Sequence, residues 1–542
     1  MKTEDVNNSM CGRKDIMAVI NRRILSLTEG YRQNIALIGK EGCGKSTILR
    51  KILETNKEAN PVVIYVELKD EDIRSFARRF IGAILYYSVK AAGNEPVENM
   101  DILLEMAEGP LRETVPFLKT VLPKIKAWEG ERIFENLLTA LAKLESDLKG
   151  KCIIMLDEFH KISKFGLREP FRRFGESIMV MRNIMFIMTS SACIYSKKVL
   201  KNEFSMLFGN FEIIDIGPLS YLEAVGLIRE RLGDKALNDK YKKFLFYFTD
   251  GNPFYLSAIL EKLSERMDVK GIAVDDPYTM LADVLNITIF ETKGLLNQYF
   301  AKHMESFLLD PSGKDYALSL LAMTNGRAMR EDAHRVSLMP KHKIKEKLRL
   351  LINEDLISKI GSMYRFDDKL MRFWLKSSYY RKRTAFSSNP PFMSLSFKDE
   401  IQKELESFIA ECDKPSAEKI VGLLNYFDNE VVSIKDKARK MLKFDAAELR
   451  QVGKDTHLIF ASSSKSTWTI FLKEGDISED DILNFNKLSS RDGIQVNRKI
   501  VIHLGEIDIN ALLMAKEFKM WIWDIKTVNT LMDLYGKVQL VF

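Results

Sequence analysis

The residues whose types and spacing most clearly predict chemistry form the segment Gly39–Ser46, which reads GKEGCGKS. It fits the pattern GxxxxGK[ST], in which glycines let backbone N–H groups turn towards phosphate oxygens. In this pattern Lys45 reaches the β- and γ-phosphates of ATP, and the Ser46 hydroxyl binds Mg²⁺. An apolar run precedes the segment and a helical pattern follows it, so the positive end of that helix faces the anion. We predict an ATP site formed by Gly39, Lys40, Glu41, Gly42, Cys43, Gly44, Lys45, Ser46 and Thr47.

Two adjacent acids, Asp157 and Glu158, follow the apolar run Ile153–Leu156. The burial of such a strand fixes where the carboxylates at its end lie. We predict that Asp157 joins Ser46 in holding Mg²⁺, and that Glu158 orients and deprotonates the water that attacks ATP. Lys45 and Glu158 are therefore the first two predicted catalytic residues.

A third candidate element is Met185–Ser191, an apolar run that ends in three hydroxyl residues. A strand beside the one that carries Asp157 would place Thr189 or Ser190 near the γ-phosphate or the attacking water. We take Ser190 as the third predicted catalytic residue.

The bulk composition is that of an ordinary globular protein, with 46% hydrophobic and 29% charged residues. At 542 residues the chain should form about three or four domains. A net charge of +7 permits nucleic-acid binding without arguing for it, because binding depends on local clusters. The five cysteines include no CxxC pair, no apolar run is long enough to span a membrane, and the N-terminus is too polar for a secretory signal. We expect a cytoplasmic protein without membrane segments.

The elements that must position the predicted site residues follow an α/β pattern over residues 1–217. Short runs that are apolar throughout alternate with helical segments, which is typical of a parallel sheet covered by helices on both faces. The sequence therefore predicts a doubly wound α/β core, a P-loop NTPase domain of the ASCE type. Its predicted strands are Asn34–Ile38, Pro61–Leu68, Lys151–Leu156, Asn183–Met188 and Phe211–Ile216.

The rest of the chain predicts four further parts. Residues 218–306 form a helical lid, residues 307–380 a winged helix, residues 381–397 a linker rich in Pro, Ser and basic residues, and residues 398–542 a C-terminal α/β domain. The predicted elements of the winged helix are Asp315–Thr324, Met329–Ser337, Lys341–Asn353 and the ribbon Ile357–Phe366. The predicted C-terminal strands are His457–Ala461, Thr467–Leu472, Lys499–His503 and Met520–Trp523.

Further short segments accompany these motifs, namely Cys11–Asp15, Leu156–His160, Ile216–Ser220, Asp250–Leu256, Phe366–Asp368 and Arg372–Trp374. Together they resemble the archaeal-type ATPases of the STAND branch of AAA+-like P-loop proteins over about residues 10–380. This resemblance implies that Gly12 and Arg13 line the adenine side of the site and that Pro253 caps adenine from the lid. Without the resemblance, Gly251–Pro253 is simply a turn that ends a helix.

One segment departs from that family's pattern. Such proteins often carry, after the sensor strand, an arginine that reaches the phosphate of a neighbouring subunit, and here the segment is Leu207–Asn210. An arginine finger is worth about 10³–10⁵ in rate. Its absence from this segment favours a slow, nucleotide-gated switch over a fast motor.

The winged helix raises DNA binding as an open alternative. Its basic residues form a local cluster of the kind that phosphate contacts need. A solvated helix face is the other interpretation, because Glu346 and Glu354 interrupt the cluster, and in STAND-like proteins a winged helix often packs on the ATPase and reports its nucleotide state. The basic residues are Lys341, Lys343, Lys345, Lys347 and Arg349, with Arg330 and Arg335 on the preceding helix.

The C-terminal domain resembles the restriction-endonuclease-like fold through Trp468–Lys473 and Ala515–Asp524. An active nuclease of that kind needs an acid two residues before the lysine, because two carboxylates hold Mg²⁺ at the scissile phosphate. Phe471 stands at that position, and Asp455 precedes the upstream strand without lying in it. We expect that cleavage is lost and that the domain is an interaction module.

These observations favour an ATP-binding, slowly hydrolysing switch in which nucleotide state moves the winged helix and the C-terminal domain. Two alternatives stay open. One is a DNA-loading initiator that resembles archaeal origin-recognition proteins, and the other is a non-hydrolysing adaptor that uses bound nucleotide structurally. The expected ligands are ATP or ADP and Mg²⁺. The expected partner is an unidentified protein, with DNA through the winged helix and further copies of this chain as open alternatives.

Overall fold

The computed structural model describes residues 12–56, 61–148, 150–204, 211–233, 237–270, 277–308, 319–320, 340–384, 390–435, 437–464, 466–488 and 496–541. The chain divides into two compact units. The first unit comprises Met1–Gly226 and Asn252–Phe254, and the second comprises Leu227–Gly251 and Tyr255–Phe542. Among the described residues, no helix combines the length and the apolarity needed to cross a bilayer.

A five-stranded parallel sheet forms the centre of the first unit, in the order β2–β3–β4–β1–β5. The predicted strands are confirmed to within two residues at each end. The order places β4 between β1 and β3, so the ends of those three strands meet at one edge of the sheet. The strands are β1 (Asn34–Ile38), β2 (Val62–Glu67), β3 (Cys152–Asp157), β4 (Ile184–Ser190) and β5 (Phe211–Asp215).

Helices cover both faces of this sheet, as the unbroken apolar runs predict. Alternate residues of one strand enter different cores: Ile154 and Leu156 join one cluster, whereas Ile153 and Met155 join the other. The doubly wound α/β fold is therefore confirmed. The helices of this unit are Lys14–Thr28, Lys45–Thr55, Ile73–Ala91, Met100–Ala107, Thr114–Val121, Gly130–Asp147, Pro170–Val180 and Cys193–Asn202, with 3₁₀ turns at Leu122–Lys124 and Phe159–Phe165.

The second unit begins with the helical segments that the sequence predicts for the lid. Two helices, Tyr221–Leu232 and Pro253–Lys270, contain residues of both units. The other helices are Asp239–Thr249, Pro277–Leu285, Leu295–Leu308, Lys341–Asn353, Lys369–Trp374, Arg381–Thr384, Pro390–Cys412, Ser416–Leu424, Glu479–Leu488, Ile509–Glu517 and Ile525–Leu534, with π-helical turns at Asn286–Phe290 and Leu375–Tyr380.

The last helix and the ribbon of the predicted winged helix are present. Helix Lys341–Asn353 precedes the antiparallel hairpin of β6 (Ile357–Ile360) and β7 (Met363–Phe366). The two earlier predicted helices and the basic residues Arg330 and Arg335 lie outside the described residues, apart from Ser319 and Leu320, which are buried.

The tip of this hairpin, Gly361 and Ser362, is bonded to the C-terminal part of the same unit. Gly361 has a φ of +72°, and a Cβ added there would lie 2.1 Å from the Val431 carbonyl oxygen. The Ser362 N–H donates to that carbonyl at 2.8 Å, and the Val431 N–H donates to the Ser362 hydroxyl at 3.3 Å. Only glycine satisfies both the backbone angle and the close approach.

A second five-stranded sheet, in the order β10–β11–β12–β13–β14, lies in the C-terminal part. Its first three strands are antiparallel neighbours, and the last two join in parallel. The four predicted strands are β11 (Thr456–Ser463), β12 (Ser466–Lys473), β13 (Arg498–His503) and β14 (Trp521–Asp524). Three strands are not among the predicted ones, namely β8 (Val431–Ile434) and β9 (Lys437–Lys440), which form a separate hairpin, and β10 (Ala446–Gln451).

The two faces of this second sheet pack against different helices. Trp468, Ile470 and Trp523 face a core shared with helices Ser416–Leu424 and Ile525–Leu534. The opposite core contains Phe471, Phe485 and Ala515, with helices Glu479–Leu488 and Ile509–Glu517. A C-terminal α/β domain of the predicted class is therefore present.

The predicted linker 381–397 is wrong for its last part. Residues from Pro390 onwards open the helix Pro390–Cys412, because proline is tolerated in a first helical turn. Phe397 is fully buried, with its ring 4.9 Å from that of Phe290 and 5.7 Å from that of Phe373. Composition alone does not reveal that an aromatic side chain of this Pro- and Ser-rich segment packs in a hydrophobic core.

Candidate functional site

Lys45 is a buried cation at the start of helix Lys45–Thr55, with 4% of its surface exposed. Its ammonium donates to the carbonyl oxygens of Gly39 and Lys40 at 2.7 and 3.0 Å, and lies 3.7 Å from Glu158 Oε1. A buried charge is costly unless it is paired. These three oxygens therefore hold the ammonium at the loop. In the same first turn of the helix, Ser46 is half-buried and Thr47 is exposed.

Residues Asn252–Phe254, far away in sequence, bond to the outer side of the loop. The Asn252 side-chain amide donates to the Glu41 carbonyl at 3.3 Å, and the Phe254 N–H donates to the Gly42 carbonyl at 3.3 Å. Asn252 Oδ1 in turn accepts from the Phe254 N–H at 2.9 Å. The loop carbonyls are thereby turned towards this segment.

Glycine is required at two positions of the loop. Gly42 has a φ of +78°, and a Cβ there would lie 2.9 Å from Asn252 Oδ1. Gly44 has a φ of +92°, and Pro253 Cγ lies 4.0 Å from the position of its missing Cβ. The structure therefore places Pro253 beside the loop, within the same unit.

Arg13 ties the other side of the loop to the segment after β5. Its guanidinium donates to the Cys43 carbonyl at 3.4 Å and to the Gly217 carbonyl. The Arg13 N–H donates to Glu223 Oε1 at 2.8 Å, and the Ser220 N–H donates to Glu223 Oε2 at 2.7 Å. Burial opposes ionisation of Glu223, but these two N–H groups outweigh it and lower its pKa. A Cβ at Gly12 would clash with the same carboxylate.

Asp157 ends β3 with only 2% of its surface exposed, and both of its carboxylate oxygens accept hydrogen bonds. The Thr189 hydroxyl donates to Oδ1, and the Tyr65 hydroxyl donates to Oδ2 at 2.9 Å. Burial and the charge of Asp157 raise the pKa of Tyr65, so its hydroxyl stays protonated and available as a donor. Strands β2 and β4 thus hold the predicted magnesium ligand from both sides.

Glu158 is fixed by the residues that follow β4. Its backbone lies in the left-handed region, with a φ of +58°, and its N–H donates to Thr189 Oγ1 at 3.1 Å. Oε2 accepts from the Ser191 N–H at 2.8 Å and from the Ser191 hydroxyl at 2.7 Å, and lies 3.2 Å from His160 Nδ1. Burial favours the protonated carboxyl, but His160, Lys45 and Ser191 together outweigh it and lower the pKa of Glu158 to about 2.

Ser190, the predicted third catalytic residue, is fully buried. Its hydroxyl lies 2.9 Å from His160 Nδ1 and accepts from Ser196 at 2.6 Å. The structure therefore connects the Ser190 hydroxyl to Glu158 through His160. Its neighbours Thr189 and Ser191 make the direct contacts with the two acids.

The polar groups of this site fit a nucleoside triphosphate with Mg²⁺. Lys45 is a fixed cation on a loop whose glycines let the backbone approach a ligand closely, and Asp157 presents a hard oxygen ligand near the same edge of the sheet. Asp157 and Ser46 would hold the ion, which would neutralise charge on the phosphate oxygens.

Comparison with known families agrees with this geometry. Residues 21–259 match the family described as an ATPase domain predominantly from Archaea. The predicted resemblance to archaeal-type ATPases is confirmed over these residues. The match contains the loop, both acids, Ser190 and the Asn252–Phe254 segment, and it ends before the winged helix.

Solved structures with a similar fold include several archaeal proteins. The Walker-type ATPase PABY2304 of Pyrococcus abyssi is 15% identical with a TM-score of 0.47, and the match covers 68% of this chain and 96% of that one. The Aeropyrum pernix ORC2 protein in its ADPNP–ADP complexes is 12% identical with a TM-score of 0.42, covering 74% and 96%. The Aeropyrum pernix ORC1 protein in complex with DNA is 12% identical with a TM-score of 0.39, covering 71% and 97%. Likenesses at this level carry no argument about function. No curated protein matches the chain in sequence.

The position at which a nuclease of the predicted fold would need a metal-binding acid is occupied by a buried aromatic side chain. Phe471 is 3% exposed, and its ring centroid lies 5.3 Å from that of Phe485. Lys473 pairs with Thr456 across the β11–β12 hairpin, next to Asp455, but its ammonium is bonded to Asp481 at 2.9 Å. Among the described residues, no group of three or more His, Cys, Asp or Glu is arranged to hold a metal ion.

We predict that Lys45→Ala abolishes tight ATP binding by the archaeal-type ATPase domain. The loss should be on the order of 100-fold, because a charge-assisted contact with the phosphates disappears. Isothermal titration calorimetry measures it. Lys90→Ala is the matched control, since it removes an exposed cation of the same unit from outside the predicted ATP site. Wild-type affinity in Lys45→Ala would refute the P-loop assignment.

Glu158→Gln should bind ATP and Mg²⁺ within about threefold of wild type and lose hydrolysis by roughly 10²–10⁴-fold, because the amide keeps the shape but cannot accept a proton. Phosphate release under saturating ATP is the measurement. Glu67→Gln changes an exposed carboxylate opposite Asp157 in the sheet register and should leave the rate unchanged. Turnover that persists in Glu158→Gln would show that another residue is the base.

The full chain should not cleave duplex or single-stranded DNA or RNA with Mg²⁺ or Mn²⁺, because Phe471 stands where cleavage of a phosphodiester needs an acid that holds the metal. Gel analysis of end-labelled substrates tests this. Cleavage that disappears in Lys473→Ala would refute the predicted inactivity. Cleavage that survives Lys473→Ala would refute the mapping of the nuclease-like fold.

Proposed function

We propose that this chain is a slow ATP-hydrolysing switch in which nucleotide at Lys45 changes the arrangement of the winged-helix and C-terminal parts. The observation that carries the proposal is the course of residues 250–255, here called the crossover segment. Asn252–Phe254 belong to the first unit and bond to the P-loop. The residues on either side, Gly251 and Tyr255, belong to the second unit.

Both ends of the crossover segment are held by the start of helix Lys369–Trp374. Before it, Asp250 Oδ1 lies 3.6 Å from the Lys369 ammonium. After it, the Tyr255 hydroxyl donates to Asp368 Oδ2. A displacement of Asn252–Phe254 at the loop passes through peptide bonds to Asp250 and Tyr255. It therefore acts on two adjacent residues directly after the wing.

Lys369 extends these contacts to the C-terminal part. The residue is 8% exposed, and its ammonium donates to the Tyr247 carbonyl at 3.2 Å and to Gln539 Oε1 at 3.0 Å. Burial lowers the pKa of Lys369. A buried cation with a few fixed partners is sensitive to small displacements, because each contact with an oxygen that breaks leaves part of its charge unpaired.

Asp533 makes a second connection within this unit. Its carboxylate lies 3.4 Å from Arg372 Nη2 and 4.0 Å from Arg365 Nε. Arg365 belongs to the wing strand β7, and Arg372 belongs to the helix after it. The wing, that helix and the C-terminal helix therefore share one set of partly buried ion pairs. They are suited to move together.

Slow hydrolysis follows from the environment of Glu158. A general base works best when its pKa lies near the working pH. The pKa of Glu158 is about 2, so a carboxylate held by Ser191 and His160 is a weak base. For turnover, the Glu158 carboxylate has to break its contacts with Ser191 and His160. The segment Leu207–Asn210, where an arginine finger is expected, lies outside the described residues.

The initiator alternative has less support. Contact with a duplex through the wing requires a free wing tip, and here Ser362 is bonded to Val431. Lys343, Lys345 and Arg349 of the preceding helix are exposed, as the sequence predicts, which a solvated face explains equally well. The protein partner, the oligomeric state and the cytoplasmic location stay predictions.

The switch is tested by combining Tyr255→Phe with Lys369→Met. A hydrogen bond to a charged group is worth about 1.5–3 kcal/mol, which is roughly a ten- to hundredfold change in local opening. Hydrogen exchange is compared with ADP and with a non-hydrolysable ATP analogue. In wild type, the analogue should change exchange at residues 39–47 and also at residues 356–380 and 525–541. The double variant should keep the first response and lose the others.

Lys240→Met is the matched control, because Lys240 pairs with Asp413 in an exposed ion pair of the same unit. It should respond as wild type does. Unchanged exchange at residues 356–380 in wild type, or an unchanged response in the double variant, would contradict the coupling.

A further inference from the structure

Two arginines from separate strands share one tryptophan in the C-terminal part. The guanidinium carbon of Arg439 on β9 lies 4.5 Å from the Trp521 ring centroid, and that of Arg498 on β13 lies 4.6 Å from it. Trp468 packs edge-on against Trp521, with centroids 5.3 Å apart. The indole is thereby fixed from within the core, and both cations are held at a defined position on the surface.

The positive charge of this cluster is not neutralised within the described part of the chain. Arg439 and Arg498 have no carboxylate within ion-pair distance among the described residues, and neither do Lys437 and Lys440, which are exposed on the same strand as Arg439. Two acids of this part are paired elsewhere: Asp524 with Lys435 at 3.1 Å and Asp428 with Lys443 at 3.4 Å. We call Lys437, Arg439, Arg498 and Trp521 the Trp521 patch.

Holding two guanidiniums against one ring is unfavourable for the protein alone. Burial and the nearby charge of Arg439 both lower the pKa of Arg498. A cation over an indole gains about 0.5–2 kcal/mol, but the two cations repel each other across the same ring. An anion between or beside them removes that repulsion. The planar fork of each guanidinium also matches the oxygens of a phosphate.

The patch lies away from the nuclease-like edge. Arg498 and Trp521 begin β13 and β14, whereas Lys473 ends β12, and β12, β13 and β14 run parallel. The patch is therefore at the opposite end of the strands from Lys473. Trp521 packs on the sheet face that carries Trp468, not on the face that carries Phe471.

We propose that the Trp521 patch binds the phosphate backbone of a nucleic acid. Three cations without acidic partners among the described residues favour a polyanion over a single small anion, and two of them, Lys437 and Arg439, project to the same side of one strand about 6.8 Å apart. The indole orients the guanidiniums, so recognition is of phosphates and not of bases. This contact is independent of the wing tip and of ATP hydrolysis.

The test is binding of a labelled 30-nucleotide single strand and a 30-base-pair duplex by the full chain between 50 and 200 mM NaCl. Arg439→Ala combined with Arg498→Ala should weaken binding about 10- to 100-fold at the lowest salt. It should also reduce the slope of log K against log salt by about 1.4 for the single strand or 1.8 for the duplex, for two lost phosphate contacts. Retained ATP binding at Lys45 shows that the variant is folded, and this readout also separates the result from any failure of the switch proposal.

Lys487→Ala combined with Lys516→Ala is the matched control, because it removes two exposed cations from helices on the opposite sheet face. It should bind as wild type does. Arg439→Lys with Arg498→Lys should recover part of the affinity, since charge returns without the planar fork. The proposal is overturned if wild type binds neither polymer at 50 mM NaCl, if the arginine variant binds as wild type does, or if the control weakens binding equally. Binding of pyrophosphate without either polymer would also overturn it.

Discussion

Charges buried at one edge of the parallel sheet constrain the whole first unit. Lys45 and Asp157 are almost excluded from solvent, and removing an ion from water costs several kcal/mol even after the protein relaxes. Each ion therefore needs partners in fixed positions. The order β3–β4–β1 supplies them, because β4 carries Thr189 to Asp157 and delivers the residues that hold Glu158 near Lys45. A shift of one strand would leave a buried charge unpaired.

This constraint separates what the sequence reveals from what it does not. The loop, the two acids and the central strands have local signatures, so spacing and apolar runs predict them well. Tyr65, Ser191 and Asn252 have no such signature, because the groups that they contact lie 92, 33 and 211 positions away. The charged strand β9 and the buried Phe397 were missed for a related reason. Their structure depends on distant packing partners and not on a local pattern.

In the proposed switch, a bound nucleotide acts on the hydrogen-bond partners of Lys45 and Glu158. The Lys45 ammonium now bonds to the carbonyl oxygens of Gly39 and Lys40, and phosphate oxygens would compete for it. Glu158 is held by Ser191 through two hydrogen bonds, which a water-activating role requires it to give up. Both changes exchange one set of charge-assisted bonds for another, so neither needs a large net free energy. Small differences of this kind can bias a two-state element, and Asn252 is bonded to the same loop.

The two ends of the C-terminal sheet differ in whether their positive charges are paired with acids among the described residues. At the end near Lys473, Phe471 packs against Phe485, and the lysine is neutralised by Asp481. The positive charge at that end is therefore neutralised within the protein itself. At the other end, Arg439 and Arg498 are brought together without an acid among the described residues. Folding alone does not favour such a pair, since an aliphatic side chain could cover the indole without repulsion. A partner that carries negative charge gives the arrangement a physical reason.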